Sequence, residues 1–180
     1  MRYFVLKQDD RITDMPYAID FFEKIDVRSV SAAGAGAVPT RTLINIRPSG
    51  FTVFPDVLCS PVLLVTDEAK DVIQAFDEYL VYREVVYLDA KNESLQLYFM
   101  PMMEIVDCLS EKSEYVNVSR GAFSKVVLKR APIRDKALFL VKNNTQRVCI
   151  VRLDLAESLL GRDCKGFTLE EAGMDSDPVS

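Results

Sequence analysis

The adjacent carboxylates that stand as candidates for chemistry are Asp9/Asp10, Asp67/Glu68 and Glu170/Glu171. Paired carboxylates suit acid–base chemistry or a divalent cation. Asp67/Glu68 follows Thr66 at the head of an apolar-periodic segment, where acidic side chains complement the positive end of a helix dipole. The other two pairs fall in a turn and near a C-terminal tail, where nothing would desolvate them. Serine offers no nucleophile frame. Ser60 precedes Pro61, Ser158 lies within a helical pattern, and Ser119-Arg120-Gly121 lacks the Gly-x-Ser-x-Gly elbow. No histidine occurs in the 180 residues, which removes Ser-His-Asp triads, Cys-His dyads and imidazole metal ligands.

The four cysteines, Cys59, Cys108, Cys149 and Cys164, are 49, 41 and 15 residues apart with no Cys-x-x-Cys. Zinc and redox motifs are therefore missing, and the thiols read as reduced. Gly34-x-Gly36 is no dinucleotide fingerprint, since the third glycine is lacking and Pro39 stands where a helix should start. No metal, cofactor or catalytic residue is expected. The residue type that remains for function is tyrosine. Tyr79, Tyr82, Tyr87 and Tyr98 are interleaved with charge, and tyrosine is enriched at protein interfaces. They are the candidate partner-binding residues. The same spacing also suits a half-buried sheet with hydroxyls at its rim.

These side chains are positioned by a chain of 20.3 kDa, 49% hydrophobic and 27% charged, ordinary values for one globular domain. No apolar run reaches the length of a membrane span, and Met1 to Asp10 lacks the apolar block of a signal peptide. A cytoplasmic location and no membrane partner are expected. The net charge of −5 argues against nucleic acid. The charge is uneven: Glu111 to Arg147 holds nine basic and three acidic residues. That stretch reads mainly as a solvated surface that balances acidic neighbours, and otherwise as a patch that grips an acidic partner.

Tyr3-Phe4-Val5-Leu6 and Leu43 to Ile46 read as strands, and Ser31 to Pro39 reads as a mobile loop of small residues. Val62 to Val65 leads into a helix whose apolar face is Ala69, Val72, Ile73, Phe76, Tyr79 and Leu80. Val81 to Leu88 and Leu95 to Phe99 form a hairpin about Asp89 to Glu93, with Met100, Met102 and Met103 as core filler. Phe123 to Leu128 reads as a strand. A second hairpin joins Ala137–Val141 to Arg147–Leu153 through Asn143-Asn144. Asp154-x-x-Glu157 resembles a capping box, Gly161 is placed to close that helix, and Gly166 to Leu169 is the last strand. Val62 to Phe76 and Val148 to Leu160 share an order of strand, acidic cap and helix, the pattern of a weak repeat. The expected architecture is a single α+β domain over 1–170, mainly antiparallel sheet built from hairpins with two or more packed helices. Residues 171–180 are expected to be an acidic, disordered tail.

The order of Tyr3-Phe4-Val5-Leu6, Pro61 to Ile73 and Val151 to Glu171 resembles the bacterial polymorphic-toxin immunity proteins of family eleven. Gly166 and Phe167 sit adjacent here, where the family spaces its closing glycine and aromatic further apart. The resemblance implies a bacterial cytoplasmic protein that binds and neutralises a cognate toxin, with no catalytic residues to carry over. Two other readings stand beside it. One is a His-independent hydrolase or metal-dependent enzyme working through carboxylates. The other is a structural or regulatory adaptor that self-associates through hairpin edges. The oligomeric state is left open.

Overall fold

The computed structural model describes residues 1–117, 122–143 and 146–175. Ser119-Arg120-Gly121, the Asn144 half of the expected turn, and residues 176–180 lie outside them. The chain forms one α+β domain in which two five-stranded sheets carry most of the core.

The terminal sheet takes its strands from both ends of the chain. β1 (Tyr3–Gln8) lies between β13 (Phe167–Glu171) and β12 (Val148–Arg152), antiparallel to both. β11 (Leu138–Val141) follows, antiparallel to β12, and β7 (Ile105–Val106) runs parallel to it at the edge. All four residues of β11 and the first four of β12 are buried. A strand whose two faces are both covered reads as an unbroken apolar run, and these do.

The hairpin sheet has the order β2, β5, β6, β4, β3. Its centre is the long hairpin of β5 (Tyr82–Asp89) and β6 (Ser94–Pro101), in register from Tyr82↔Pro101 to Asp89↔Ser94. β2 (Arg41–Asn45) lies parallel to β5, while the two-residue strand β4 (Leu64–Val65) pairs with β6 and in turn with β3 (Val57–Leu58) at the edge. Asp89 is fully buried at the hairpin end, where its carboxylate accepts from the backbone N–H groups of Ser49 and Asn92 and from Asn92 Nδ2.

Between the sheets sit α2 (Asp67–Gln74) and α3 (Leu153–Gly161). Ala69, Val72, Ile73, Leu155, Ala156 and Leu159 pack with Leu6, Leu140 and Val151 of the terminal sheet and Val57 and Val65 of the hairpin sheet. Two further clusters lie on the other faces. One is Ile44, Leu64, Val85, Tyr87, Tyr98 and Met100 under residues 15–38, with the short α1 (Phe21–Lys24). The other is Tyr3, Val5, Phe139 and Ile150 under Val106, Val126, Leu128 and Ile133. Met100, Met102 and Met103 are all buried, as core filler should be. The four cysteines are free.

Several local expectations give way to tertiary contacts. Ser31 to Pro39 is a packed connection: Ser31 and Val38 are buried, Ala35–Ala37 is a 3-10 turn, and Arg83 Nη2 donates to the Ala35 carbonyl. A Cβ on Gly34 would lie 2.2 Å from the Ser29 carbonyl oxygen, so small residues here permit close backbone approach. α2 ends at Gln74, which leaves Tyr79 outside the helix. The Thr66 side chain does not cap α2, and α3 begins behind Arg152, with Asp154 held by the Arg152 guanidinium and the Leu155 N–H. Gly161 stays helical. The left-handed residue is Asp163 at φ 59°, which lets the Cys164 N–H return to the Leu159 carbonyl.

Phe123 to Leu128 is broken into β9 (Ala122–Lys125), which pairs with β8 (Glu114–Asn117), and β10 (Val127–Lys129). The expected disordered tail begins too early. Glu171 belongs to β13 and pairs with Arg2, and β14 (Gly173–Asp175) runs parallel to β10, with Asp175 accepting from Ser110 and Lys112. The two strand-to-helix segments pack α2 on α3, but β4 and β12 hold different places in their sheets.

Candidate functional site: an uncovered sheet face

Alternation along a strand assigns each side chain to one face. In the hairpin sheet, Ile44, Val85, Tyr87, Tyr98 and Met100 share the face buried under residues 15–38. The opposite face carries Leu43 on β2, Val86 and Leu88 on β5, and Leu95 and Leu97 on β6, each beside the next in register. α2 covers only one end of that face, where Lys70 Nζ sits 4.3 Å from the Phe99 ring centroid. Beyond Phe99 the aliphatic row is open. Leu43 is 46% and Leu95 62% exposed, and Val86, Leu88 and Leu97 are half-buried and belong to none of the three core clusters.

The segment that bridges to the outer edge of β2 extends the patch. Ala18 pairs antiparallel with Ile46, which sets Tyr17 and Ile19 alongside Asn45 and Arg47. Arg47 lies over the Tyr17 ring at 4.3 Å, and Tyr17 and Ile19 are both more than half exposed. Tyr17 also borders a cleft of about 290 Å³ with Met15, Phe21, Phe22 and Pro61. Contiguous apolar patches on monomers run to about 300–600 Å², and those rimmed by polar groups mark interaction sites. Seven aliphatic and aromatic side chains on four adjacent segments, bordered by the Arg41–Glu84 ion pair and by Arg47, are of that kind.

The outer edge of β2 is partly engaged. The outward N–H of Asn45 donates to Asp20 Oδ1, its carbonyl accepts from Ile19, and Lys24 Nζ donates to the Leu43 carbonyl. The groups bonded in this way are not open to an added strand.

The four tyrosines do not form one surface. Tyr87 and Tyr98 are buried and meet edge-to-face at 5.5 Å, with the Tyr98 hydroxyl donating to the Pro55 carbonyl. They are core residues, a correction to their expected partner role, because odd positions of β5 face the cluster under residues 15–38. Tyr82 is half-buried, its hydroxyl enclosed without a partner. Tyr79 alone stands free, 85% exposed on the connection after α2. The aliphatic residues went unread as a site because a strand apolar at both parities looks the same whether its second face is covered or open. The signal was the run Leu97-Tyr98-Phe99-Met100, which requires two apolar faces.

The thiols and several tyrosines and carboxylates are shifted by burial or by hydrogen bonds. Burial pushes the Cys59 and Cys108 thiols up to about 12 and raises those of Cys149 and Cys164 as well. Burial likewise raises Tyr82, Tyr87 and Tyr98. Carboxylates shift the other way. The Asn92 side chain and the Ser49 N–H hold Asp89 low, and the Arg152 guanidinium does so for Asp154. At Asp20, burial is outweighed by hydrogen bonds from Lys24 and Asn45. A poised acid or base needs the opposite displacement, toward pH 7. Among the described residues no group of three Cys, Asp or Glu side chains could hold a metal ion, and no helix is long and apolar enough to cross a membrane. No protein-family model and no curated protein sequence matches the chain.

Proposed function

We propose that this protein is a non-catalytic binding domain, an immunity-type protein that neutralises a cognate bacterial toxin in the cytoplasm by occupying it. The observation that carries the binding reading is the uncovered aliphatic face of the hairpin sheet, which costs solubility in the free chain and gains its stabilisation when covered. The outward displacement of every shifted thiol, tyrosine and carboxylate supports occupation over catalysis. The toxin assignment rests on the resemblance of Pro61–Ile73 and Val151–Glu171 to the immunity family.

The border of the face along β2 describes the partner's side of the contact. Arg41 is paired with Glu84 and Lys24 with Asp20, whereas Arg47 lies over the Tyr17 ring and has no ion-pair partner among the described residues. The unbalanced charge there is positive, so the partner surface is apolar with a carboxylate at its border. At long range the net charge of −5 would instead favour a basic partner, so the border acts on the contact and the overall charge on the approach. The test is calorimetric titration against the protein encoded by the adjoining reading frame. Wild type binds it more tightly than micromolar, and Leu95→Asp with Leu43→Glu weakens binding at least a hundredfold while the melting temperature holds. Binding weaker than micromolar, or unaffected by those substitutions, overturns the reading.

A further inference from the structure

Among the described residues, the basic side chains of the stretch Glu111 to Arg147 fall into four groups. Lys112, Lys125, Lys136 and Lys142 are neutralised by Asp175, Glu114, Glu104 and Asp107. Arg147 turns inward, giving its guanidinium to the carbonyls of Val27 and Val30. Lys129 lies across from Asp175 in the β10–β14 register. Arg130 and Arg134 are left, and neither guanidinium has an ion-pair or hydrogen-bond partner among the described residues.

These two arginines flank the 3-10 turn Ala131–Ile133 and line one concavity of about 190 Å³ with Met1, Tyr3 and Met174. The turn is anchored from below: Ile133 is buried, and the Tyr3 hydroxyl donates to its carbonyl at 2.6 Å. The two guanidinium stems thus rise from a backbone held to the terminal sheet. Met1, Tyr3 and Met174 give the hollow apolar walls, which strengthen an ion contact by excluding water from one side. Asp135 and the Arg152–Asp154 ion pair also act on Tyr3, and with them counted the cluster remains positive. The volume is below the roughly 300–1,000 Å³ of pockets for drug-sized ligands, so only a compact group fits.

We infer that the Arg130/Arg134 hollow is an anion-binding site for a phosphate-type oxyanion. Two guanidiniums offer forked donor pairs to a tetrahedral group with three or four acceptor oxygens, whereas a planar carboxylate uses one fork. The site stands on the far side of the terminal sheet's core from α2 and α3, and its occupation is independent of the open face of the hairpin sheet.

The experiment is a heteronuclear NMR titration of the full chain at low ionic strength with inorganic phosphate and, in a second arm, with acetate. Saturable shifts confined to residues around Tyr3, Ala131–Arg134 and Met174 are expected with phosphate, with acetate at least tenfold weaker. Arg130→Ala with Arg134→Ala weakens phosphate at least tenfold, and the paired lysine substitutions keep charge but lose the fork, costing about threefold. Lys125→Ala with Lys142→Ala removes the same charge elsewhere in the stretch and leaves binding unchanged. Absence of saturation, equal weakening by the lysine control, or tighter binding of acetate than phosphate overturns the assignment.

Discussion

The two sheets have five strands each and one parallel edge pair each, yet they differ in what covers them. The terminal sheet is buried on both faces, between α2 and α3 on one side and the Val106, Val126, Leu128 and Ile133 group on the other. The hairpin sheet is buried on one face and covered over only one end of the other. The first is scaffold. In the second, Leu43, Leu88, Leu95 and Leu97 form a surface whose apolar content exceeds what the fold uses. A residue's contribution to stability should therefore depend on which sheet it occupies, and its contribution to binding should follow the reverse order.

The largest effect is expected in the centre of the terminal sheet. Phe139 is fully buried and packs edge-on to Tyr3 at 5.9 Å, so Phe139→Ala should lose about 4 kcal/mol by chemical denaturation. The joint between the sheets comes next. Gly166 has φ +110°, a Cβ there would lie 2.1 Å from the Val57 carbonyl oxygen, and its own carbonyl accepts from Asp9 and Gln8. Gly166→Ala should cost about 3 kcal/mol through backbone strain and clash together. A normal melting curve for that variant would break the idea that one close contact joins the two halves.

Arg147 tests the second tie between the halves, since it reaches from the start of β12 to the loop over the hairpin sheet. Arg147→Ala should cost about 1.5 kcal/mol, the scale of hydrogen bonds from a charged donor at a partly solvated site. Amide exchange should rise first at Val27–Ser31. Acid sensitivity isolates the hairpin end. The Asp89 pKa is lowered in the fold, so its stabilisation is complete above the ordinary carboxylate value of about 3.9 and is lost as pH falls through the lower folded value. Asp89→Asn should flatten the loss of stability below pH 4, and an unchanged acid slope would remove Asp89 from that role.

The smallest effect on stability belongs to the open face. Leu95→Ser should change unfolding free energy by less than about 0.5 kcal/mol, within the range of exposed substitutions, while lowering retention on a hydrophobic-interaction column. A large loss would show that the face is covered in solution and would erase the contrast between the sheets.

Much of this was present in the amino-acid order. The β5–β6 hairpin is legible because Val81–Leu88 and Leu95–Phe99 flank a polar turn, and β11–β12 because two unbroken apolar runs follow each other. The helix starts near Thr66 and Asp154 are likewise local, marked by acidic residues in each first turn although neither N-cap side chain bonds its helix. The helix ends were less legible: an apolar face continuing to Tyr79 does not reveal that the chain turns at Asp77. For the site, the tyrosines drew attention by type, but burial of Tyr87 and Tyr98 depends on which parity of β5 and β6 faces residues 15–38.

By itself the sequence determined composition, the lack of imidazole, the hairpins and the presence of strands apolar at both parities. Those properties are local, carried by neighbours a few residues apart. Which sheet face is left open, which arginines of the basic stretch lack a carboxylate, and which tyrosines are interior were decided only by tertiary structure. Each depends on segments far apart in the chain, such as residues 15–24 engaging β2 or Asp175 meeting Lys112, and coverage is a property of what packs opposite, which no local pattern encodes.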